Sequence, residues 1–453
     1  MTLDQVARLN LLILWPLVIV ALASVVPLAG RGLRSSEAER GLVAILLGAG
    51  ALLGCFALAA SLLWAVGHSA VPFLVDYGRP ESPWQLRLLF DRAGGLALLA
   101  ILGMAGAGLF EARAELRDLR AVACFAAALA LICASLVLVS LPVLALAWLA
   151  AALVVVWGER SPGRLALTMA PALATAIGLT MVSRLSGEAS MVNAGPGLAF
   201  AADRALRLAG LLTVGGLALS AMVGPMLVGR AGDSARRLPH LARLAWSAAA
   251  LVVLVRVATL VFGFPHARPL IAPVLAGSVT ILWGGALCAL AAQEARRGAG
   301  FAAAGGVGWV LFALAPVIRG DAPGTAYAAA FLVILATPAL LALPRSAARP
   351  GWPLLGAVLL CAGWALAPAT IGFPAVTHAF AAVVRDDPAW AWVAVAVYPL
   401  VLIFAGRHGW AWWSAPAEGT TRTSLLPLLA AAALLAGGLV YEALVVFLRP
   451  LTG

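Results

Sequence analysis

The sequence predicts an all-α protein that crosses a membrane many times. Of its 453 residues, 63% are hydrophobic and only 11% are charged, and the mean hydropathy is +1.03. Ordinary soluble domains carry about 25% charged residues, so this composition excludes a soluble globular fold. Apolar runs of about 20 residues, the length that crosses the hydrocarbon core of a bilayer as a helix, recur from one end of the chain to the other.

These runs predict fourteen membrane-spanning helices, numbered from the N-terminus. They lie near 9–29, 41–67, 93–110, 121–139, 141–157, 165–183, 206–228, 241–263, 269–291, 301–318, 325–344, 353–376, 388–406 and 424–447. Between them, 78–95 has a turn signal and a short alternating stretch, which predicts a surface hairpin on the outer side. Residues 187–210 predict a loop that continues as an interfacial helix.

The arginines set the expected orientation. All 30 basic residues are arginine, and the loops after odd-numbered helices hold most of them. By the positive-inside rule those loops face the cytoplasm and both termini face outward. We therefore expect a multi-pass protein in the lipid bilayer of a bacterial inner membrane. The net charge of +11 comes from arginines scattered among short loops, a pattern that favours membrane topology over nucleic-acid binding.

The sequence predicts no catalytic residues, no metal site and no cofactor. It contains no Walker loop, no HExxH motif, no paired carboxylates and no GxGxxG before a polar helix. The cysteines lie singly in apolar runs without a CxxC pair, so we expect small core residues: Cys55, Cys124, Cys133, Cys288 and Cys361. Stand-alone catalysis is not expected, and membership of a membrane oxidoreductase complex stays open.

Three stretches, in their order along the chain, carry a family resemblance. Residues 216–233, GLALSAMVGPMLVGRAGD, have a glycine and a proline inside an apolar helix. Residues 293–314, QEARRGAGFAAAGGVGWVLFAL, combine an acidic residue, two arginines and a glycine–aromatic pair, and 364–380, WALAPATIGFPAVTHAF, have a proline-rich stretch ending in Gly-Phe. The chain resembles the antiporter-like membrane subunits of respiratory complex I (NADH:quinone oxidoreductase), a family shared with membrane hydrogenases, Mrp antiporters and inorganic-carbon uptake complexes.

The resemblance implies an architecture and partners. Family members have fourteen core helices, two inverted five-helix repeats (helices 4–8 and 9–13) and breaks in helices 7 and 12. For this chain that implies four regions: 1–120 with helices 1–3 and the outer hairpin, 121–263 as the first repeat, 264–406 as the second, and 407–453 with helix 14. The implied partners are the other subunits of a membrane complex.

The family's proton-relay groups are missing from this chain. In the family, a glutamate on helix 5 lies near a lysine on helix 7, and further lysine or histidine groups lie on helices 8 and 12. The matching positions here are Leu149, Ser220, Ala250 and Val376. A charge at the bilayer centre is costly and persists where function requires it. We interpret the chain as a degenerate member with a structural or anchoring role.

A second hypothesis is an active ion or inorganic-carbon transporter subunit with a rearranged pathway. Its pathway candidates are Arg256, His378 and Ser220. Arg256 lies inside a predicted span and should face the bundle interior and find a partner. His378 follows the expected helix-12 break, and its imidazole can titrate near neutral pH.

One predicted cytoplasmic loop offers candidates for contact with neighbouring subunits: Glu294, Arg296 and Arg297. A third hypothesis is that the resemblance is coincidental and the chain is an unrelated carrier or lipid-processing protein.

Overall fold

The computed structural model describes residues 73–77, 82, 84–111, 119–157, 159, 161–229, 237–341, 343, 352–364, 366–414 and 426–448. Predicted helices 1 and 2 lie outside these residues.

The described part consists of helices with one short hairpin. Its elements are β1 Phe73–Tyr77, β2 Leu86–Phe90, α1 Arg92–Glu111, α2 Leu119–Val137, α3 Leu141–Val155, α4 Pro162–Ser186, α5 Met191–Gly197, α6 Asp203–Gly229, α7 Arg237–Leu260, α8 Ile271–Ala291, α9 Ala295–Ile318, α10 Gly324–Ala336, α11 Trp352–Trp364, α12 Gly372–Asp386, α13 Pro388–Val395, α14 Tyr398–Ser414, α15 Leu426–Leu439 and α16 Tyr441–Leu448. Short 3₁₀ turns lie at Leu198–Phe200, Pro265–Leu270 and Thr337–Leu341.

The described helices make this a multi-pass membrane protein. Seven of them, with their adjoining turns, are long and apolar enough to cross a bilayer, or eight if the bent pair Leu428–Leu439 and Tyr441–Leu448 forms one span. The axes of that pair differ by 74°.

The predicted break in helix 7 is wrong at the level of secondary structure. Helix α6 runs from Asp203 to Gly229 with Pro225 inside it. Proline removes one ladder hydrogen bond from a helix. Its neighbours in a packed bundle supply other contacts, so the helix continues through the proline.

Helix 12, in contrast, is interrupted between Trp364 and Gly372, where the sequence predicts a break. Inside the interruption Leu366 has a φ of 55°, a strained value for a bulky residue. The amide of Ile371 donates to the Leu434 carbonyl of α15 at 3.0 Å. A Cβ on Gly438 would lie 2.3 Å from the Ala369 carbonyl oxygen, so the broken segment rests directly on the α15 backbone and the turn after it.

A small ribbon joins the hairpin to the ends of the helices. Strands β1 and β2 pair antiparallel, Leu88 bridges Leu138, and Ser140 bridges Ser190. The paired strands lie at 73–77 and 86–90, and residues 92–95 of the segment predicted as a hairpin already belong to α1. The predicted interfacial helix in 187–210 is divided between short α5 and the start of α6.

Helix α7 is the centre of the bundle. Every residue of its most apolar 18-residue window is buried, and it packs against α2, α3, α6 and α1. Any charged side chain that projects from the middle of α7 therefore meets protein and needs a partner there.

Candidate functional site

Of the four positions that match the family's relay groups, three are buried and one is half-buried. Ala250 on α7 and Ser220 on α6 are fully buried, and Val376 on α12 is 8% exposed. Leu149 on α3 is half-buried against the core, beside Trp148, whose ring stacks on Trp246 at 5.3 Å. Among these four positions only Ser220 has a polar side chain, and its hydroxyl has no hydrogen-bond partner among the described residues.

A serine of α7 contacts the backbone of α6 next to the lysine position. The Ser247 hydroxyl donates to the Ser220 carbonyl and accepts from the Gly224 amide, both at 3.0 Å. That carbonyl and amide are the acceptor and donor of one i→i−4 step of α6. Pro225 lacks the amide of the next step. The contact therefore ties α7 to α6 where the helix ladder is weakest.

The main charged contact inside the bundle joins Arg256 to Asp91. Their side chains are 2% and 1% exposed, and Arg256 Nη2 donates to Asp91 Oδ1 at 2.8 Å. Arg256 Nη1 donates to the Leu136 carbonyl at the end of α2. Asp91 also caps α1, because the same Oδ1 accepts from the Gly94 amide at 2.5 Å.

The Asp91–Arg256 pair is closely packed against its neighbours. A Cβ on Gly94 would lie 2.6 Å from Arg256 Nη2 and 2.9 Å from Asp91 Oδ1, so a larger residue there would displace the ion pair. The buried hydroxyl of Tyr327, on α10, interacts electrostatically with both charges, but its contact with the guanidinium lies outside good hydrogen-bond geometry. The cluster thus joins α1, α2, α7 and α10 at one end of the bundle.

The chemistry of the Asp91–Arg256 pair opposes proton transfer. Arginine stays protonated in proteins. Removing one charge of a buried pair leaves the other uncompensated, which costs about 3–5 kcal/mol. Arg256 therefore finds the interior partner that the sequence analysis expected, and the pair is suited to holding helices together.

A second ion pair lies near the other end of α7. Arg243 Nη2 contacts Glu159 Oε2 at 2.6 Å, and their side chains are 5% and 12% exposed. Arg243 Nη1 also contacts His240 Nδ1 at 3.3 Å, one turn earlier on α7. Arg243 and Arg256 are thirteen residues apart, about 20 Å along the helix. Each end of α7 is thus fixed by a cation paired with a carboxylate from outside the helix.

His378, the third pathway candidate, lies away from both pairs. Its Nδ1 is 3.1 Å from the Tyr441 hydroxyl, and its Nε2 is 3.9 Å from Glu442. The side chains of His378 and Glu442 are 48% and 79% exposed. The structure therefore does not bring Arg256, Ser220 and His378 together into one path.

The three contact candidates differ in direction. Arg296 is 7% exposed and points into the protein, whereas Glu294 and Arg297 are exposed at the start of α9. The Arg297 guanidinium lies 5.9 Å from the centre of the Phe301 ring. Only Glu294 and Arg297 are therefore placed to meet another molecule.

The described residues hold no group of three histidine, cysteine or acidic side chains that could bind a metal ion. Of the three cysteines whose side chains the structure describes, Cys133 is buried as expected, Cys124 is half-buried, and Cys288 is exposed. The expectation of a core position is therefore wrong for Cys288.

The sequence analysis did not identify the acidic partners of Arg256 and Arg243. Asp91 and Glu159 stand next to helix ends, so they read as ordinary loop charges. Asp91 could have been recognised from its position in the sequence, because an aspartate immediately before a predicted helix is typical of a helix-capping residue. A carboxylate at a helix end can pair with an arginine on a neighbouring helix.

Comparison with solved structures identifies similar folds in three membrane complexes. A chain of the membrane-bound sulfane sulfur reductase, an archaeal respiratory membrane complex, superposes with a TM-score of 0.75 at 15% identity, over 98% of this chain and 96% of that one. A chain of the Mrp complex from Dietzia sp. DQ12-45-1b gives 0.77 at 14% identity, over 99% and 97%. A chain of respiratory complex I from Thermus thermophilus gives 0.71 at 20% identity, over 96% and 99%.

No protein-family model and no curated protein matches this sequence. The structural likeness nevertheless covers almost the whole chain in three kinds of membrane complex. It confirms the resemblance inferred from the three sequence stretches at the level of the fold. This chain has the fold of the antiporter-like membrane subunits found in complex I, Mrp and related respiratory complexes.

Proposed function

We propose that this chain is a membrane-arm subunit of a complex-I-related assembly and that its role there is structural. It lies in a bacterial inner membrane with both termini outward and binds other subunits of the complex. It does not move protons by the route of its family. The observation that carries this proposal is the replacement of the relay groups by Leu149, Ser220, Ala250 and Val376.

Two of the remaining buried charges support the same conclusion. Arg256 and Arg243 are each held by a carboxylate, at 2.8 and 2.6 Å. A group that carries protons must change its charge during transport, and arginine does not. Both pairs link α7 to another part of the chain and so stabilise the packing of the bundle.

The first experiment isolates the tagged protein from its native host in a gentle detergent and identifies its partners by mass spectrometry. Recovery with redox subunits would support a place in an energy-converting membrane arm. Recovery of the chain alone, in several detergents, would contradict it.

The second experiment measures proton translocation per turnover by the recovered complex in liposomes. We expect Ser220→Ala and His378→Ala to leave the ratio of protons to turnovers unchanged, because neither residue belongs to a continuous path. Loss of translocation at normal complex assembly would overturn the structural role.

One observation favours the second candidate, an active ion or inorganic-carbon transporter subunit. His378, Tyr441 and Glu442 form a cluster of titratable groups close to the interrupted helix 12. Interrupted helices in transporters often line binding sites. Flux of protons or bicarbonate through liposomes that contain the purified chain alone, and its loss in His378→Ala, would establish this candidate.

A further inference from the structure

A cluster of three titratable side chains joins α12 to α16, away from the buried ion pairs. His378 lies in the second turn of α12, and Tyr441 and Glu442 begin α16 directly after the 74° bend that follows α15. His378 Nδ1 is 3.1 Å from the Tyr441 hydroxyl, and the two rings meet edge to face with their centres 5.2 Å apart. His378 Nε2 is 3.9 Å from Glu442 Oε1. One imidazole thus contacts both residues that begin α16.

Helix α16 also contacts the starts of two other helices. Arg92 Nη1, at the start of α1, donates to the Phe447 carbonyl at 3.1 Å, and its guanidinium lies 4.8 Å from the centre of the Phe447 ring. A Cβ on Gly324, the first residue of α10, would lie 3.1 Å from the Val445 carbonyl oxygen. These contacts use backbone groups and an arginine, which keeps its proton, so they do not change with pH. The first turn of α16, in contrast, is held by His378, a group that titrates.

His378 can contact both partners in either charge state, but only one state adds an attraction. In a neutral imidazole one ring nitrogen donates and the other accepts, so the Tyr441 hydroxyl can donate to Nδ1 while the Nε2 hydrogen faces Glu442. In an imidazolium both nitrogens donate, and the Tyr441 oxygen accepts. The imidazolium also attracts the Glu442 carboxylate, which lies within ion-pair distance. Protonation of His378 therefore strengthens its hold on α16.

The two charged members of the cluster are accessible. The side chains of His378 and Glu442 are 48% and 79% exposed. They lie on the half of α12 that leads to Asp386, at the end of the bundle that the arginine distribution assigns to the outer side. Histidine changes its charge between about pH 5 and 8, and a glutamate stays ionised over most of that range. A change of pH on the outer side can therefore change the charge of His378 alone.

Glu442 is the one charged side chain that faces His378 from the described elements packed against α12. Helices α13 and α15 carry no titratable side chain. The charges of α9 and the turn after it lie near its two ends: Arg296, Arg297, Arg319 and Asp321. Arg319 is paired with two aspartates at the end of α12. Tyr327 of α10 belongs to the buried ion-pair cluster, and Arg385 of α12 lies about two turns from His378.

We propose that His378 is a pH-responsive latch, which holds α16 against α12 more tightly when its imidazole is protonated. Because the attraction to Glu442 exists only for the imidazolium, the latch tightens as the pH falls through the range in which histidine gains its proton. It relaxes as the pH rises above that range. The latch acts on the segment that contacts the starts of α1 and α10, next to the Asp91–Arg256 pair.

The test measures hydrogen exchange of the α16 amides in the full chain, purified in detergent, at about pH 5.5 and about pH 8. Rates are corrected for the intrinsic pH dependence of amide exchange. We expect α16 to be protected about two- to fivefold better at the lower pH, the range of an exposed ion pair. His378→Gln keeps a polar side chain without the charge and should remove this ratio. A wild type without the ratio, or a His378→Gln protein that keeps it, would overturn the proposal.

Two further variants separate the partners of the imidazole. Glu442→Gln removes the opposite charge and should abolish the pH ratio, with the Tyr441 contact intact. Tyr441→Phe removes a hydrogen bond that both charge states form, so it should lower the protection of α16 at both pH values and keep the ratio. A ratio that survives in Glu442→Gln would contradict the latch, because the imidazolium would then act without its carboxylate.

The matched control is His266→Gln. His266 is a half-buried histidine at the same predicted side of the membrane, in the turn before α8, where its ring stacks on Phe264. This turn packs against α6 and α8, not α16, among the larger contacts of the described elements. The variant should keep the pH ratio of α16. A loss equal to that in His378→Gln would show that the pH acts on the whole fold and would contradict a local latch.

Discussion

Helices α7 and α9 occupy comparable core positions but are held there in different ways. All of the most apolar window of α7 is buried, and 89% of that of α9. Helix α7 carries Arg243 and Arg256, each fixed by a carboxylate from another part of the chain. Helix α9 has its one buried arginine, Arg296, in its first turn, and the rest of its core is apolar.

Glycines take the place of charges around α9. A Cβ on Gly285 of α8 would lie 2.5 Å from the Cα of Gly305, and one on Gly229 of α6 would lie 3.0 Å from the Cα of Gly300. Small residues let helix backbones approach closely in membranes, where van der Waals packing replaces the hydrophobic effect. Helix α7 is thus fixed near both ends by ion pairs, whereas α9 meets α8 and α6 through close approach of the backbones. This difference predicts which substitutions each helix tolerates.

The largest expected effect is the loss of one charge at the Arg256 end of α7. Arg256→Met or Asp91→Leu should each lower the free energy of unfolding by about 3–5 kcal/mol, because the remaining charge stays buried without its partner. The double variant should recover much of the loss. Melting temperatures of the three variants in detergent test this. If the double variant were less stable than both single variants, an unpaired buried charge would not be the cause of the destabilisation.

The second effect tests the glycine contacts between α8 and α9. Gly285→Ala should destabilise by about 1–3 kcal/mol, because the new methyl group meets the Gly305 backbone, which cannot rotate away as a side chain can. Gly284→Ala is the matched control, since a Cβ there meets nothing within 4 Å. It should be neutral or stabilise slightly through helix propensity. Equal melting temperatures for the two variants would refute close backbone packing between α8 and α9.

The third effect concerns the Arg243 end of α7. Glu159→Gln should cost about 1.5–3 kcal/mol, the range of a hydrogen bond to a charged group, because Arg243 is 5% exposed and loses its carboxylate. Arg164→Gln removes a contact of 3.8 Å at a half-exposed side chain and should change stability by less than about 1 kcal/mol. Thermal unfolding of both variants decides whether the partner of Arg243 or general charge balance stabilises this end.

Much of the helical architecture could be predicted from the sequence, and some of it could not. Apolar run lengths give the helices, and the stretch WALAPATIGFPAVTHAF gives the interruption before Gly372. The run GLALSAMVGPMLVG suggested a second interruption, but Pro225 stays inside α6. A proline costs one ladder bond, and tertiary contacts that no local pattern encodes decide whether the helix continues.

The charge pairs lie beyond sequence reasoning for a similar reason. Arg256 is recognisable as an arginine within an apolar run, so its need for a partner is predictable. Asp91 is 165 positions away in the chain, and only the packing of α1 against α7 brings the two together.

The smallest expected effect compares one hydroxyl in each half. Ser247 bridges an amide and a carbonyl of α6 at 3.0 Å, whereas Ser278 of α8 only donates to the Gly308 carbonyl of α9 at 2.8 Å. Ser247→Ala should cost about 1 kcal/mol, and Ser278→Ala about half of that, since the backbone groups of both helices keep partners within their own ladders. Melting curves recorded side by side measure the difference. A larger loss in Ser278→Ala would mean that the contact of α8 with α9 also depends on a polar group, and the contrast between α7 and α9 would then rest on the ion pairs of α7 and the glycines of α9.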